Sequence, residues 1–273
     1  AEYARKAIDA SGATPMTSAQ WHNPTTGFNA ATSSWMWYFH PTASNMGNLA
    51  NFVGHISGEA DWGYASLSKP QIARSLYDGI ADTDFRKYSF LDPDRSIYDY
   101  QSVQGDAWLA EQPDYFSLKF RCVSGDHKTY SVGAAADIPV MRVEEMYLIL
   151  AEAQAMGGNP STGAATLQKF VNHYRDPAYV CTASSATAVQ DAVWQQRRIE
   201  LWGEGLSYFD ILRLNKGIDR RGAGFPAAYV FNVPAGDNTL IYRIPESEEQ
   251  GNSLISASDN NPVTSIPSPV TDN

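Results

Sequence analysis

The sequence is poor in cysteine, in charge of positive sign and in long apolar runs, and each shortage excludes a class of protein. Two cysteines, Cys122 and Cys181, are too few for a disulfide framework, and neither lies in a CxxC pair or beside a histidine, so no zinc site is predicted. The sequence leaves open whether they pair or stay free. With 20 basic against 30 acidic residues and no basic cluster, the chain has no electrostatic footprint for nucleic acid. No run approaches the roughly eighteen apolar residues of a transmembrane helix.

Targeting and catalytic motifs are missing as well. The opening segment AEYARKAIDASG lacks the apolar core of a signal peptide, and the chain begins at Ala1, so we expect a processed, trimmed or partial chain. No glycine-rich phosphate loop, HExxH or GxSxG is found. The histidines are scattered and predict neither a metal site nor a catalytic triad: His22, His40, His55, His127 and His173.

The chain is rich in aromatic side chains, and its amino-acid composition changes along its length. Aromatics make up 12% of 273 residues, a length that suits one large domain or two small ones. Residues 13–68 are dense in Asn, Ser, Gly, Thr and aromatics, which predicts a loop-rich region. After it, residues 69–88 show a helical pattern, and the alternation in residues 115–121 predicts a strand.

From Pro139 onward the pattern predicts helices. The first ends at Gly157-Gly158, the second begins at Pro160 or Ser161 and ends at Tyr174, the third covers 187–203, and a short fourth follows Gly205. We expect the first two to form an antiparallel hairpin. Residues 217–273 predict a tail that wraps the surface, with a strand at 240–244. The fold class expected is mainly α, with helical hairpins, a loop-rich aromatic subregion and few short strands, in three parts: 1–138, 139–216 and 217–273.

Charged residues recur among apolar ones in the helical part and require partners inside the fold. Glu200 and Glu204, four residues apart, would share a helix face with Cβ atoms about 5–6 Å apart. A retaining glycosidase holds its carboxyls about 5 Å apart, so a catalytic pair is one alternative. We favour the other, an internal ion network that braces the helices. The expected members are Arg142, Glu152, Arg197, Arg198, Glu200, Glu204, Asp210 and Arg213.

Two blocks of this helical part resemble the signatures of the SusD/RagB family of outer-membrane glycan-binding lipoproteins. The first joins Arg142, EMYL at 145–148, AEA at 151–153, the Gly157-Gly158 turn and Arg175. The second is QRRIEL at 196–201, followed by Glu204-Gly205 and by Asp210 and Arg213. The ending Ile244-Pro245-Glu246 with Asn252 is also similar. Gln196 and Ser207 depart from the usual acid and base, which suggests an ion pair lost as a unit.

The resemblance implies a fold, a location and partners. It implies a SusD-like helical protein at the bacterial outer-membrane surface that binds oligosaccharide and delivers it to a SusC-like TonB-dependent transporter. It also implies that the N-terminal half of a complete member, with the lipidated cysteine, is absent from this chain, so membrane attachment would come only through that anchor. The resemblance implies no enzyme activity and no cofactor.

The aromatic region supplies the candidate glycan-binding residues. Sugar rings stack on Trp and Tyr, and their hydroxyls need polar side chains nearby. In an extended Trp35-Met36-Trp37 both Trp rings would point to one side and form a platform. The alternative is that most of these rings belong to the core. The candidates are Trp21, Trp35, Trp37, Tyr38, Asp61, Trp62 and Tyr64.

Three alternatives stay open at this point. Asp82, Asp84, Asp92 and Asp94 could hold calcium, although Asp92-Pro93-Asp94 is typical of a turn, which we favour. A glycoside hydrolase would show turnover that depends on one carboxylate. A helical scaffold would bind only its transporter and no oligosaccharide.

Overall fold

A computed structural model describes residues 1–46, 51–95 and 100–272 of the chain. It divides into two units, Ala1–Gly205 and Leu206–Asn273. The division falls before the short helix that follows Gly205, whereas the three parts expected from the sequence include a boundary after residue 216. Each unit is described by itself below.

The N-terminal part of the first unit is made mostly of loops and single helical turns. Helix α1, Glu2–Ser11, ends at Gly12, whose φ of 64° is left-handed. The loop-rich character predicted for residues 13–68 is confirmed among those described. The remaining elements of this part are α2 Ser18–Trp21, strand β1 Trp35–Phe39, α3 Phe52–Ile56, α4 Ala65–Ser68, α5 Arg74–Asp78, α6 Asp106–Ala110 and α7 Tyr130–Gly133.

Strand β1 pairs with β2, Ile138–Arg142, as a two-stranded antiparallel sheet. Trp35 lies opposite Arg142, Trp37 opposite Met141 and Tyr38 opposite Pro139. The register therefore shifts on both sides of Trp37, as it does at a β-bulge. The sheet runs directly into the first long helix, and this junction brings the aromatic strand β1 next to Arg142.

Three long helices follow and carry the main core of the unit. They are α8 Val143–Met156, α9 Pro160–Tyr174 and α10 Ala186–Glu200. Pro160 occupies the first turn of α9, and the Ser185 side chain caps α10, as proline and serine commonly do. The helices at 143–156 and 160–174 confirm the predicted hairpin. Their shared core is Leu148, Ala151, Ala155, Leu167, Phe170, Val171, Val189 and Val193.

Two predicted elements of the first unit are wrong in type or length. The helix predicted for 69–88 shrinks to α5, although Ile72, Leu76 and Ile80 do pack in one cluster. Residues 115–121 form single bridges, Gln71 to Phe116 and Phe90 to Ser117, rather than a strand. The segment is buried on both faces, so its alternation of apolar and polar residues did not mark an exposed side.

The second unit contains short elements. Helix α11, Ser207–Arg213, confirms the helix predicted after Gly205. It is followed by β3 Ile218–Asp219, which pairs with β4 Asn232–Val233, and by α12 Glu246–Gly251. The strand predicted for 240–244 is wrong, because Asn238–Leu240 form a 3₁₀ turn capped by Asp237. Across the described part of the chain, helices are too short or too polar to cross a membrane. The mainly α fold class is confirmed.

Candidate functional site

Strand β1 presents three consecutive aromatic side chains to the surface. Trp37, Tyr38 and Phe39 are 56%, 40% and 58% exposed. The rings of Trp37 and Phe39 lie 6.2 Å apart between centroids, at 48° to each other. We call Trp37, Tyr38 and Phe39 the aromatic row.

Trp35 is not part of that row, which corrects the expectation that Trp35 and Trp37 form a platform. Trp35 is 6% exposed and packs in the core with Phe28, and its ring meets Tyr38 at 6.1 Å. The register shifts beside Trp37 break the two-residue alternation of the strand, so the two Trp side chains end on opposite sides. Trp35 therefore has no free face for a sugar.

Trp21 is also excluded as a glycan-binding candidate, because its side chain is buried. It is 1% exposed, and its Nε1 donates to Ser89 Oγ at 2.6 Å. The Phe28 ring meets it edge to face at 4.6 Å. A ring that is closed on its edge and faces belongs to the core, where its polar nitrogen still needs a partner.

Tyr64 keeps an exposed ring, while its neighbours in sequence are partly engaged. Tyr64 is 55% exposed and lies 5.1 Å from the His55 ring. Asp61 Oδ2 lies 2.9 Å from His127 Nδ1, and its Oδ1 accepts from Gln104 Nε2 at 2.9 Å. Trp62 is half-buried and packs against a small core cluster. Tyr64 and Asp61 therefore offer a second, smaller polar and aromatic patch.

Glu200 is the centre of a fully buried ion network. Arg175 donates two hydrogen bonds to Glu200, from Nε to Oε2 at 2.8 Å and from Nη2 to Oε1 at 3.0 Å. Arg142 and Arg86 each add one bond at 3.0 Å. Burial alone would raise the pKa of Glu200, but the charges of Arg175 and Arg142 outweigh burial and hold that pKa well below its usual value.

Glu204 belongs to the same network, although it lies outside the helix. Helix α10 ends at Glu200, so the two carboxylates do not share a helix face as expected. Arg142 reaches Glu204 from Nε at 2.9 Å and from Nη2 at 2.8 Å, and Lys119 Nζ reaches it at 2.7 Å. The pKa of Lys119 is lowered to about 8, because burial lowers it more than the charge of Glu204 raises it.

This geometry does not suit a glycosidase pair. Such an enzyme needs one carboxyl with a raised pKa that can donate a proton. The pKa values of Glu200 and Glu204 are both lowered, because burial is outweighed by Arg175 at Glu200 and by Arg142 at Glu204. Both side chains are buried among cations, with no open approach for a substrate.

The family of the chain follows from its sequence. The profile of the SusD family matches residues 90–256, which include Arg142, Arg175, Glu200 and Glu204. The chain belongs to the SusD family.

Solved structures share the fold of this SusD family chain. A SusD-like carbohydrate binding protein from Bacteroides vulgatus superposes with a TM-score of 0.69 at 21% identity, over 96% of this chain and 56% of that one. A SusD superfamily protein from Bacteroides thetaiotaomicron gives 0.64 at 21%, over 96% and 57%. Surface glycan-binding protein A from the same species gives 0.59 at 14%, over 95% and 58%. The chain thus spans little more than half the length of these structures. No curated protein matches it.

The other charged residues of the SusD family signatures pair with residues other than Glu200 and Glu204. Arg197 Nη2 lies 3.0 Å from Glu145 Oε1, and Glu152 accepts from Gln190 at 2.9 Å, so both contacts link α8 with α10. The Arg198 guanidinium lies over the Trp194 ring at 4.9 Å. In the second unit, Arg213 Nε donates to Asp210 at 2.8 Å.

Sequence reasoning missed more than half of the charged residues of the buried network. Arg86 and Lys119 come from the loop-rich part, Glu144 from the first turn of α8, and Arg175 was noted only as a signature residue. Gln196, which departs from the family pattern, still accepts from Arg86 Nη2 at 2.5 Å. The one available signal was the position of Lys119 within the apolar run YFSLKFR.

The acidic turn and the cysteines have simple structural roles. Asp92 Oδ1 accepts from the backbone nitrogens of Asp94 at 2.9 Å and Arg95 at 2.8 Å, so the predicted turn is confirmed at this position. Within residues 1–46, 51–95 and 100–272 no three metal-ligating side chains form a cluster. Cys122 and Cys181 are free thiols.

Proposed function

We propose that this chain binds oligosaccharide noncovalently through the aromatic row of β1. The observation that carries the proposal is the exposure of three consecutive rings, Trp37, Tyr38 and Phe39, in a chain of the SusD family. Two of the similar solved structures are described as carbohydrate binding and glycan-binding proteins. Contiguous exposed aromatic side chains lower solubility, and such patches commonly mark binding sites.

The chemistry of the row suits a sugar. The C–H face of a pyranose packs on an aromatic ring, and its hydroxyls need polar partners at the ring edge. His40 follows Phe39 directly and its side chain is largely exposed. Its Nδ1 lies 2.5 Å from Asp137 Oδ1, which holds the imidazole in place and leaves Nε2 available to a hydroxyl.

We extend the binding surface to the patch formed by Tyr64 and Asp61 as a second subsite. Tyr64 supplies an exposed ring, and Asp61 supplies a carboxylate that is about half exposed. With a net charge of −10, the chain favours a neutral oligosaccharide over a polyanion. No chemistry on the sugar is part of the proposal.

Location and delivery form the wider part of the proposal. We propose that the whole protein is an outer-membrane surface lipoprotein that passes oligosaccharide to a SusC-like TonB-dependent transporter. The support is membership of the SusD family. Copurification of the tagged whole protein with such a transporter from detergent-solubilised outer membranes tests it, and a protein that elutes alone after mild crosslinking contradicts it.

Binding itself is tested by calorimetric titration with a panel of neutral oligosaccharides. For any oligosaccharide that binds, Trp37→Ala and Phe39→Ala should each weaken affinity by about fivefold, because each removes a stacking face worth about 1 kcal/mol. The matched control is Tyr3→Ala, which removes a still more exposed ring from α1 and should leave affinity unchanged.

The panel also separates the proposal from its two rivals. Binding that is unaffected by loss of both rings would place the glycan elsewhere. A chain that binds a transporter tightly and none of the oligosaccharides is a scaffold. Release of reducing ends that stops in Glu204→Gln would identify a hydrolase.

A further inference from the structure

The end of strand β1 carries a histidine whose ring is exposed and whose hydrogen-bond partner is buried. Phe39 lies opposite Ile138 in the β1–β2 sheet. One residue beyond this pair, the same register brings His40 opposite Asp137. The His40 side chain is 71% exposed and the Asp137 side chain is 12% exposed, with Nδ1 of His40 2.5 Å from Oδ1 of Asp137. The pair therefore connects the surface beside the aromatic row to the interior.

The loop before β1 holds Asp137 in place through two backbone hydrogen bonds. The Asp137 N–H donates to the Asn29 carbonyl oxygen at 2.9 Å, and Asp137 Oδ2 accepts from the Ala31 N–H at 2.7 Å. Because a backbone N–H can only donate, Oδ2 has to be an acceptor, and Oδ1 is the oxygen that faces His40. The carboxylate therefore meets the imidazole in one fixed orientation.

This arrangement determines the tautomer of the neutral His40 ring. An ionised carboxylate only accepts hydrogen bonds, so the imidazole proton lies on Nδ1, and Nε2 carries a lone pair. Asp137 covers only the Nδ1 edge of a side chain that is otherwise largely exposed, so a ligand can reach the opposite edge, where Nε2 lies. The surface next to the aromatic row thus has a hydrogen-bond acceptor of fixed orientation.

We infer that His40 is a specificity-determining residue whose Nε2 accepts a hydrogen bond from a free sugar hydroxyl, and that Asp137 is the positioning residue that keeps Nε2 unprotonated. The inference rests on the proposed oligosaccharide binding and names the hydrogen-bonding group that this site requires. Tyr38 and His40 are two residues apart, so their side chains leave the extended backbone on the same side. A sugar that packs on the exposed Tyr38 ring therefore lies beside His40.

An acceptor at this position distinguishes free hydroxyls from substituted ones. A free hydroxyl can donate to Nε2, whereas an ether, ester or sulfate at the same carbon has no hydrogen to donate and turns oxygen lone pairs toward that of Nε2. A site that pairs with a hydroxyl disfavours the analogue that lacks this donor. The ligand class is therefore an oligosaccharide with an unsubstituted hydroxyl on the sugar ring that packs on Tyr38.

The substitution Asp137→Asn tests the positioning role without any ligand. In this variant the amide oxygen has to face the Ala31 N–H, so the amide nitrogen donates to Nδ1 and the proton of the His40 ring moves to Nε2. ¹⁵N NMR of the full chain at pH 8.5 distinguishes the two tautomers. We expect Nδ1–H in the unmodified chain and Nε2–H in the variant. His55 is the control, because its Nδ1 lies 2.8 Å from the Asn51 carbonyl oxygen and its tautomer should stay the same.

Calorimetric titration with mono-O-methyl analogues tests the hydroxyl preference. For an oligosaccharide that binds, we expect one analogue to bind the unmodified chain about fivefold more weakly than the parent sugar, which corresponds to a lost hydrogen bond of about 1 kcal/mol. In Asp137→Asn the Nε2–H donates, and an ether oxygen can accept from it, so the two affinities should agree within about twofold. The bulk of the methyl group is the same in both chains and does not affect this comparison.

Failure of this inference and failure of the proposed function give different results. If an oligosaccharide binds but the ratio of parent to analogue is the same in both chains, the inference is overturned and binding by the aromatic row stands. An Nε2–H tautomer in the unmodified chain also overturns it. If Asp137→Asn does not fold, His40→Ala takes its place and should abolish the same preference. If no oligosaccharide binds, the proposed function is overturned and this inference with it.

Discussion

Among single residues, Glu200 is the one on which most of the buried cations converge. Arg86, Arg142 and Arg175 all reach its two oxygens, from positions 114, 58 and 25 residues away in the chain. Removing one partner of a buried ion pair leaves an uncompensated charge, which costs far more than the pair itself contributes. Glu200 is therefore a structural residue, and its loss should strongly lower the free energy of unfolding.

We expect Glu200→Ala to lower the free energy of unfolding by about 3–5 kcal/mol, because three buried guanidinium groups lose a shared acceptor. Urea unfolding followed by tryptophan fluorescence measures this change. Glu2→Ala removes an exposed carboxylate from α1 and should leave the midpoint unchanged. A Glu200→Gln protein of unchanged stability that had lost a hydrolytic activity would contradict the structural role.

His22 predicts a pH dependence of stability. Its folded pKa is about 4, against an ordinary value of 6.5, so the unfolded chain takes up a proton that the folded chain refuses. Stability is therefore complete above pH 6.5 and is lost as the pH falls toward 4. Between pH 7 and 5 this amounts to about 2 kcal/mol of unfolding free energy.

The measurement compares urea unfolding at pH 7 and pH 5 for the unmodified chain and for His22→Phe. The variant should show a flatter pH profile in this range, since the titrating group is gone. His55→Phe, at a more exposed histidine, should keep the full slope. Equal slopes in the unmodified chain and His22→Phe would assign the effect to another group.

At the scale of elements, α8 and α9 approach each other closely because one position in the contact has no side chain. A Cβ at Gly163 would lie 2.6 Å from the Ala151 carbonyl oxygen and 2.8 Å from Ala155 Cβ. These are backbone and short side-chain atoms that cannot rotate away. The small residues of α8 and α9 thus set the separation of the hairpin.

Gly163→Ala should destabilise the chain by about 1–3 kcal/mol, because the clash outweighs the helix propensity gained by alanine. Thermal unfolding by circular dichroism provides the comparison. Gly251→Ala in α12 is the matched control, since its added Cβ meets nothing within 4 Å, and it should be neutral or slightly stabilising. Similar effects of both substitutions would show that the α8–α9 contact tolerates a wider spacing.

At the scale of the whole molecule, charge is the property that bears on the ligand. A net charge of −10 repels anionic glycans and leaves neutral ones unaffected. The proposed sites depend on stacking and on neutral hydroxyl bonds, which salt screens little. We therefore expect a neutral ligand, which the charge of the chain neither attracts nor repels over long distances.

Affinity for a bound oligosaccharide should consequently change by less than about twofold between 0.05 and 0.5 M NaCl, a range over which the Debye length falls severalfold. Calorimetric titration at the two salt concentrations measures it. Heparin serves as the polyanionic comparison and should bind only weakly at either concentration. A steep fall of affinity with salt would indicate a charged ligand instead.

The sequence by itself determined the hairpin of α8 and α9, the helix after Gly205, the family signatures and the acidic charge. These depend on helical periodicity, on Pro160 and on glycine stops, all of which act within a few residues. Local pattern failed at 115–121, because that segment is buried on both faces and its charges pair with distant residues.

Only the tertiary structure decided which aromatic rings are free and which charges meet. Trp21, Trp35 and Trp37 belong to the same aromatic stretch, yet a register shift in β1 exposes only Trp37. His40 and Asp137 are 97 residues apart and come together at the end of β1. Exposure and long-range pairing depend on how segments distant in the chain pack together, and no short-range pattern carries that information.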